Sequence, residues 1–248
     1  MSRVTDAIGL ERIGRMATRV RRLPGGERAI TAIGMARSRW IERSGKAAET
    51  AKSRWRGVSP GPLLTWGIEL PGDPFIEAAE RHGAFGAGKT VLEIGPGYGR
   101  LLAAALERKT EFGRWLALDI SPEVASHIGD RFDDPRIESR VGDVESVTLG
   151  EPVTTMISSL TFKHLYPDFG AALANLRPAM GPDSVALFDL IEGERRYFQY
   201  DGMTYLRAYG RDEVDALLTR SGYERIAFDE VLHTAEHPRL LVVARPSA

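Results

Sequence analysis

The stretch Val91-Leu92-Glu93-Ile94-Gly95-Pro96-Gly97-Tyr98-Gly99-Arg100 joins a short apolar run to a turn with glycine at alternate positions. Glycine lets a backbone reach positive φ and lets a ligand approach closely. A strand–turn–helix built here therefore suits a nucleotide-like ligand. Spacing narrows the class. A dinucleotide fingerprint puts its third glycine five positions after the first, and that position is Arg100; the glycines fall instead at Gly95, Gly97 and Gly99. Glu93 lies inside the strand, where a buried carboxylate needs a hydrogen-bonding partner. Asp119 ends a second strand-like run, Gly142-Asp143 follows a third, and Ser158-Ser159-Leu160-Thr161 follows a fourth. His164, just beyond, has the intrinsic pKa of a base that works near neutrality.

The elements that must position these residues alternate. Thr90–Ile94, a short apolar run ending in glycines, suits a buried parallel strand, and Trp115–Ile120, Ile137–Val141, Val153–Ser158 and Ser184–Ile191 read as the second to fifth strands. Helical spacing appears at Arg100–Arg108, after Ser121-Pro122-Glu123 (a cap followed by a first-turn proline), at Phe169–Ala179 and at Arg211–Ser221. Tyr223–Glu230 and Arg239–Ala244 read as a closing antiparallel pair. The pattern predicts an α/β fold: a Rossmann-like, doubly wound, mostly parallel seven-stranded sheet with an antiparallel C-terminal strand. Its binding crevice lies at the strand C-termini.

The motif Glu93-x-Gly95-x-Gly97-x-Gly99, with Asp119, Gly142-Asp143 and the polar stretch from Ser158 in order, resembles the class I S-adenosylmethionine-dependent methyltransferases. The resemblance runs from about residue 72 to the C-terminus. It implies S-adenosylmethionine as cofactor, with Gly95, Gly97 and Gly99 under its methionine and ribose. It further implies Asp119, with Ile120 beside it, at the ribose hydroxyls, Asp143 at the adenine amino group, the Val144 N–H at the adenine ring and Ser158 at the methyl-donor end. Carboxylates only accept hydrogen bonds, and hydroxyls and exocyclic amines donate them, so these pairings are chemically consistent. The loop after the fourth strand faces the acceptor pocket in such enzymes, which makes His164 the candidate catalytic base for an O-methylation. The acceptor expected is a small molecule or a saccharide or glycolipid. Two rivals stay open: an NAD-dependent oxidoreductase, against which Arg100 counts, and a non-catalytic methyltransferase-like binding module.

Composition excludes several chemistries. With no cysteine among 248 residues, disulfides, thiolate metal sites and cysteine nucleophiles are ruled out. Serines stand where metal-dependent catechol-type enzymes place an acid, so no metal is expected. No run nears the roughly 18 uninterrupted apolar residues of a membrane span, and a signal-peptide pattern is missing, which points to a cytoplasmic protein.

The net charge of −1 hides an asymmetry. Residues 1–56 hold fourteen basic against five acidic side chains, about +9, and the remainder carries about −10. Residues 1–58 are expected to form a basic helical segment, with Ile13, Met16, Val20 and Leu23 on one face, a stop at Pro24-Gly25-Gly26, and a second helical piece carrying Ile30, Ile33, Trp40 and Ile41. It is expected to act as a lid, a homodimer contact or an arm on a membrane surface, with nucleic acid disfavoured. Ser59-Pro60-Gly61-Pro62 separates it from the main domain, 59–248. Acceptor recognition is expected from this segment and from an insert after the fifth strand containing Glu192, Glu194, Arg195, Arg196, Tyr197, Tyr200, Tyr205 and Arg207.

Overall fold

A computed structural model describes residues 36–58, 70–199, 201–232 and 238–247. The expected helix before Pro24-Gly25-Gly26, the break at Ser59-Pro60-Gly61-Pro62, and Tyr200 lie outside the described residues.

Residues 36–43 are helical, followed by α1 (Ala47–Arg56) and α2 (Asp73–Arg81). The alternating body then runs β1 (Gly86–Ile94), α3 (Arg100–Glu107), β2 (Phe112–Asp119), α4 (Pro122–Arg131), β3 (Ile137–Val141) and β4 (Val153–Ser158). A 3₁₀ turn at Phe162–His164, α5 (Gly170–Leu176) and β5 (Met180–Glu192) follow. A hairpin of β6 (Arg196–Phe198) and β7 (Tyr205–Tyr209), then α6 (Arg211–Arg220), β8 (Tyr223–Leu232) and β9 (Pro238–Pro246), complete the chain.

The main sheet has the order β3-β2-β1-β4-β5-β9-β8, parallel from β3 to β5 and with β9 antiparallel to both its neighbours. This is the expected seven-stranded fold. The expected insert is a two-stranded hairpin attached where β7 pairs with Ile191 and Glu192 at the end of β5. β1 and β4 are neighbours although two strands intervene in sequence, so the order reverses between them and a crevice opens at their C-terminal ends.

Two apolar cores cover the sheet. One packs Leu92, Leu118, Met156 and Phe188 against Phe162, Leu173 and Leu217. The other packs Val91, Trp115 and Leu187 against Phe75, Leu101 and Ile128. Burial on both faces is why Val91–Ile94 reads as a continuous apolar run interrupted only by Glu93. A third, smaller core lies away from the sheet, where Ile41, Ala47 and Ala51 meet Phe198 and Tyr205 of the hairpin.

Candidate active site

The glycine turn between β1 and α3 needs each of its glycines for a different reason. Gly95, Gly97 and Gly99 all hold positive φ, at 66°, 56° and 79°, a region that side chains disfavour. A Cβ on Gly95 would meet Thr161 Oγ1 at 2.3 Å, and one on Gly99 would meet Phe132 Cε2 at 2.4 Å. A Cβ on Gly97 would meet nothing within 4 Å. Gly95 and Gly99 thus let the turn pack against the loop after β4 and against α4. Gly97 leaves its face open to a cavity of about 760 Å³ at the strand ends, a size typical of small-molecule sites.

Gly95, Gly97, Asp119, Ile120, Asp143, Val144 and His164 all line this cavity, with Glu93 at its floor. Glu93 is buried and accepts a hydrogen bond from Trp115 Nε1 at 3.0 Å, the partner its position required. Burial pushes its carboxyl up to about 7, against the opposing pull of the Trp115 bond and the Arg100 charge. Asp119, ending β2, accepts from the Ser121 N–H at 2.8 Å; burial pushes it up to about 6, while the Ser121 and Ile120 N–H groups work in the other direction. Gly142 is needed because a Cβ there would press on Leu118 and Val147. The next turn is fixed by Asn175, whose Nδ2 donates to the Val144 and Val147 carbonyls.

Three expectations are corrected. Gly99 does not line the cavity: its α-carbon packs against Phe132 and Ile128. Ser158 does not line the cavity: it is buried, and its hydroxyl donates to the Ile94 carbonyl at 2.9 Å, tying β4 to β1. As the last residue of β4 it is still committed to the sheet; Ser159, Leu160 and Thr161 reach the cavity instead. Among the described residues of the insert, Gln199, Asp201 and Thr204 line the cavity, and Tyr197, Tyr205, Arg195, Arg196 and Arg207 do not. Tyr205 and Arg207 are spent on the Pro167 carbonyl, and Arg211 takes up Glu192.

Several cavity residues are not evident from the motif. Asp189 on β5 is buried and accepts from the Ser159 hydroxyl and, at 2.9 Å, from the Leu160 N–H. It thereby supports Leu160 at φ 64°, strained backbone that faces the cavity. A lone acid in the apolar run Val185–Ile191 was its sequence signal. Arg100 Nη2 donates to the Ser159 hydroxyl at 2.6 Å. Further contributors come from α1, whose Lys52, Arg54 and Trp55 line the cavity. Lys52 Nζ pairs with Asp143 Oδ2 at 2.7 Å and Glu145 Oε2 at 2.5 Å. Arg54 Nε donates to Thr204 Oγ1 at 3.1 Å. The Trp55 ring lies 4.4 Å from that of His164. Beyond α1, the Val58 carbonyl accepts from the Ser121 hydroxyl.

His164 is buried, with Nδ1 2.7 Å from the Tyr205 carbonyl. A carbonyl only accepts, so Nδ1 carries the proton and Nε2 the lone pair. Burial, with Lys163, Arg239 and Arg54 nearby, holds the imidazole well below its usual range, so it stays neutral. Among the described residues no group of three His, Cys, Asp or Glu side chains is placed to hold a metal, and no helix is long and apolar enough to cross a membrane.

Residues 91–183 match the family model described as "Methyltransferase domain". No curated protein matches the chain. Among solved structures, the Burkholderia thailandensis 1,6-didemethyltoxoflavin-N1-methyltransferase, bound to 1,6-didemethyltoxoflavin and S-adenosylhomocysteine, superposes with a TM-score of 0.59 at 20% identity, over 91% of this chain and 92% of its own. The glycopeptide N-methyltransferase MtfA complexed with S-adenosylmethionine gives 0.58 at 21% identity, over 71% and 94%. A methyltransferase from Clostridium acetobutylicum gives 0.54 at 14% identity, over 71% and 91%. At these identities the structures speak to the fold. Residues 91–183 are thus similar to a methyltransferase domain, and the chain shares the fold of these methyltransferase structures.

Proposed function

We propose that this protein transfers a methyl group from S-adenosylmethionine to a hydroxyl oxygen of a small acceptor, with α1 serving as a lid. The observation that carries the reading is the open face of Gly97 in a cavity that also exposes Asp119 at the end of β2 and Asp143 and Glu145 beyond β3. That arrangement offers acceptors for ribose hydroxyls at one point and for an adenine amino group at another. The cofactor supplies a methyl group already activated on a sulfonium. The protein's task is then proximity and alignment. Asp119 and the Gly97 backbone hold the donor, and the Asp189-supported loop at Ser159–Thr161 shapes the space beside it. Neutral His164 accepts the hydrogen of the attacking hydroxyl.

Isothermal titration of the full chain with S-adenosylmethionine and with NADH, followed by incubation with methyl-labelled cofactor and fractionated cell extract, tests the proposal. Binding of the sulfonium and a labelled product are expected. Binding of NADH alone would return the site to the oxidoreductase reading. Sulfonium binding without any labelled product would favour a non-catalytic module.

A further inference from the structure

Trp55 and His164 form a pair that the donor half of the site leaves unused. Trp55 lines the cavity from α1, its ring inclined at 45° to the imidazole. Its indole Nε1 is buried and has no hydrogen-bond partner. An unsatisfied buried N–H costs about 1–3 kcal/mol, so a partner supplied by the cavity's contents would recover that loss. His164 presents the complementary group. With Nδ1–H fixed on the Tyr205 carbonyl, Nε2 offers a lone pair. One donor and one acceptor thus sit on two rings whose centroids are 4.4 Å apart. Tyr166 extends the aromatic wall of the same cavity.

We propose that the methyl acceptor is a planar aromatic or heteroaromatic alcohol seated against Trp55 and His164, its hydroxyl donating to His164 Nε2 and an adjacent ring atom accepting the Trp55 indole hydrogen. The inference rests on the methyltransferase reading above and narrows its acceptor. Saccharides fit poorly. They need several convergent polar groups, and three of those nearby are already engaged with one another: Asp201 accepts from the Met203 and Thr204 N–H groups and from the Thr204 hydroxyl, and Arg54 donates to Thr204. Proton chemistry points the same way. Burial and the surrounding cations make His164 a weak base. An aliphatic alcohol, about as weakly acidic as water, would have to give its proton to that base, whereas a phenolic hydroxyl near 10 faces a far smaller gap. The same cations favour the oxyanion that forms. As the new oxygen–carbon bond is made, the carbon–sulfur bond breaks with its electron pair left on sulfur, giving a neutral thioether. The hydroxyl proton passes to Nε2 and on to solvent.

The test uses the full chain saturated with S-adenosylhomocysteine and three probes in calorimetry: 8-hydroxyquinoline, 1-naphthol and methyl glucoside. The first two share a shape and differ in the ring nitrogen that would accept from Trp55. Both should bind at least about tenfold tighter than the glucoside. Trp55→Phe should weaken 8-hydroxyquinoline by about tenfold, the worth of one such hydrogen bond, and leave 1-naphthol and S-adenosylhomocysteine within about twofold. A merely structural role for Trp55 would move both bicyclic probes together, and that result overturns the proposal. So does preferential binding of the glucoside, or no effect of Trp55→Phe. Failure to bind S-adenosylhomocysteine in the first place is a separate outcome, one that removes the underlying methyltransferase reading.

Discussion

Asp119 and Glu145 face the same cavity with unequal hydrogen-bond commitments. Asp119 has one oxygen on the Ser121 N–H, and burial raises its pKa to about 6. Ribose hydroxyls donate best to the ionised form, so binding favours loss of its proton and affinity rises with pH through that value. At pH 5 only about a tenth of Asp119 is ionised. S-adenosylmethionine should therefore bind about tenfold more weakly at pH 5 than at pH 7, and Asp119→Asn should flatten that slope; a wild-type affinity independent of pH would exclude this role. Glu145 is the residue that motif reasoning passed over in favour of Asp143. Asp143 is already engaged, through Oδ2 with Lys52 and through Oδ1 with the Glu145 N–H. Glu145 uses Oε2 on Lys52, and its Oε1 is buried without a partner. An adenine amino group can supply the missing donor. Glu145→Ala should cost roughly tenfold or more in cofactor affinity, as expected for a hydrogen bond to a charged group. It should cost nothing for the deaminated inosyl analogue. Equal losses for the two ligands would show that Glu145 only holds Lys52.

At the scale of elements, α1 and the β6–β7 hairpin act as one roof. Lys52 fastens it at the Asp143–Glu145 end and Arg54 joins its two halves. The two Lys52 ion pairs are partly exposed, so each is worth about 1 kcal/mol or less and weakens with salt. Lys52→Ala should then speed release of S-adenosylmethionine about fivefold in stopped-flow measurements at low salt, with the difference shrinking at high salt. An unchanged release rate would mean that the roof is not the barrier. The sheet that supports the site is legible in the sequence, because its strands are short local runs and β1 to β3 are closed by glycine or aspartate; Val153–Ser158 and Ile137–Val141 appear with those same bounds. The roof is not legible. Its defining contacts join residues 150 and 160 positions apart, Arg54 to Thr204 and Ser38 to Phe198, and no local periodicity encodes such a meeting. Trp55 accordingly reads in the sequence as part of a basic amphipathic arm. Ser158 and Ser159 could not be told apart by type; only the point where β4 ends separates the sheet tie from the cavity wall.

For the molecule as a whole, the buried Glu93 links function to stability. Its pKa, raised to about 7 mainly by burial, means that the folded state holds a proton that the unfolded chain, near 4.5, gives up more readily. The stabilising contribution is present in full below about pH 4.5 and is lost as pH rises through 7. Glu93→Gln keeps an oxygen for Trp115 Nε1 and removes the charge. It should raise the melting temperature at pH 8 by a few degrees and leave it nearly unchanged at pH 5; equal shifts at both pH values would dissociate the effect from titration. The small core of Ile41, Ala47, Ala51, Phe198 and Tyr205 has a different consequence. It binds the two halves of the roof to each other rather than to the sheet. Acceptor choice can therefore diverge while the donor floor stays constant, but only if both halves change in concert. A chimera that imported one half from a distant homologue would inherit a mismatched seam, and a graft of the matched pair would bring its own substrate preference with it.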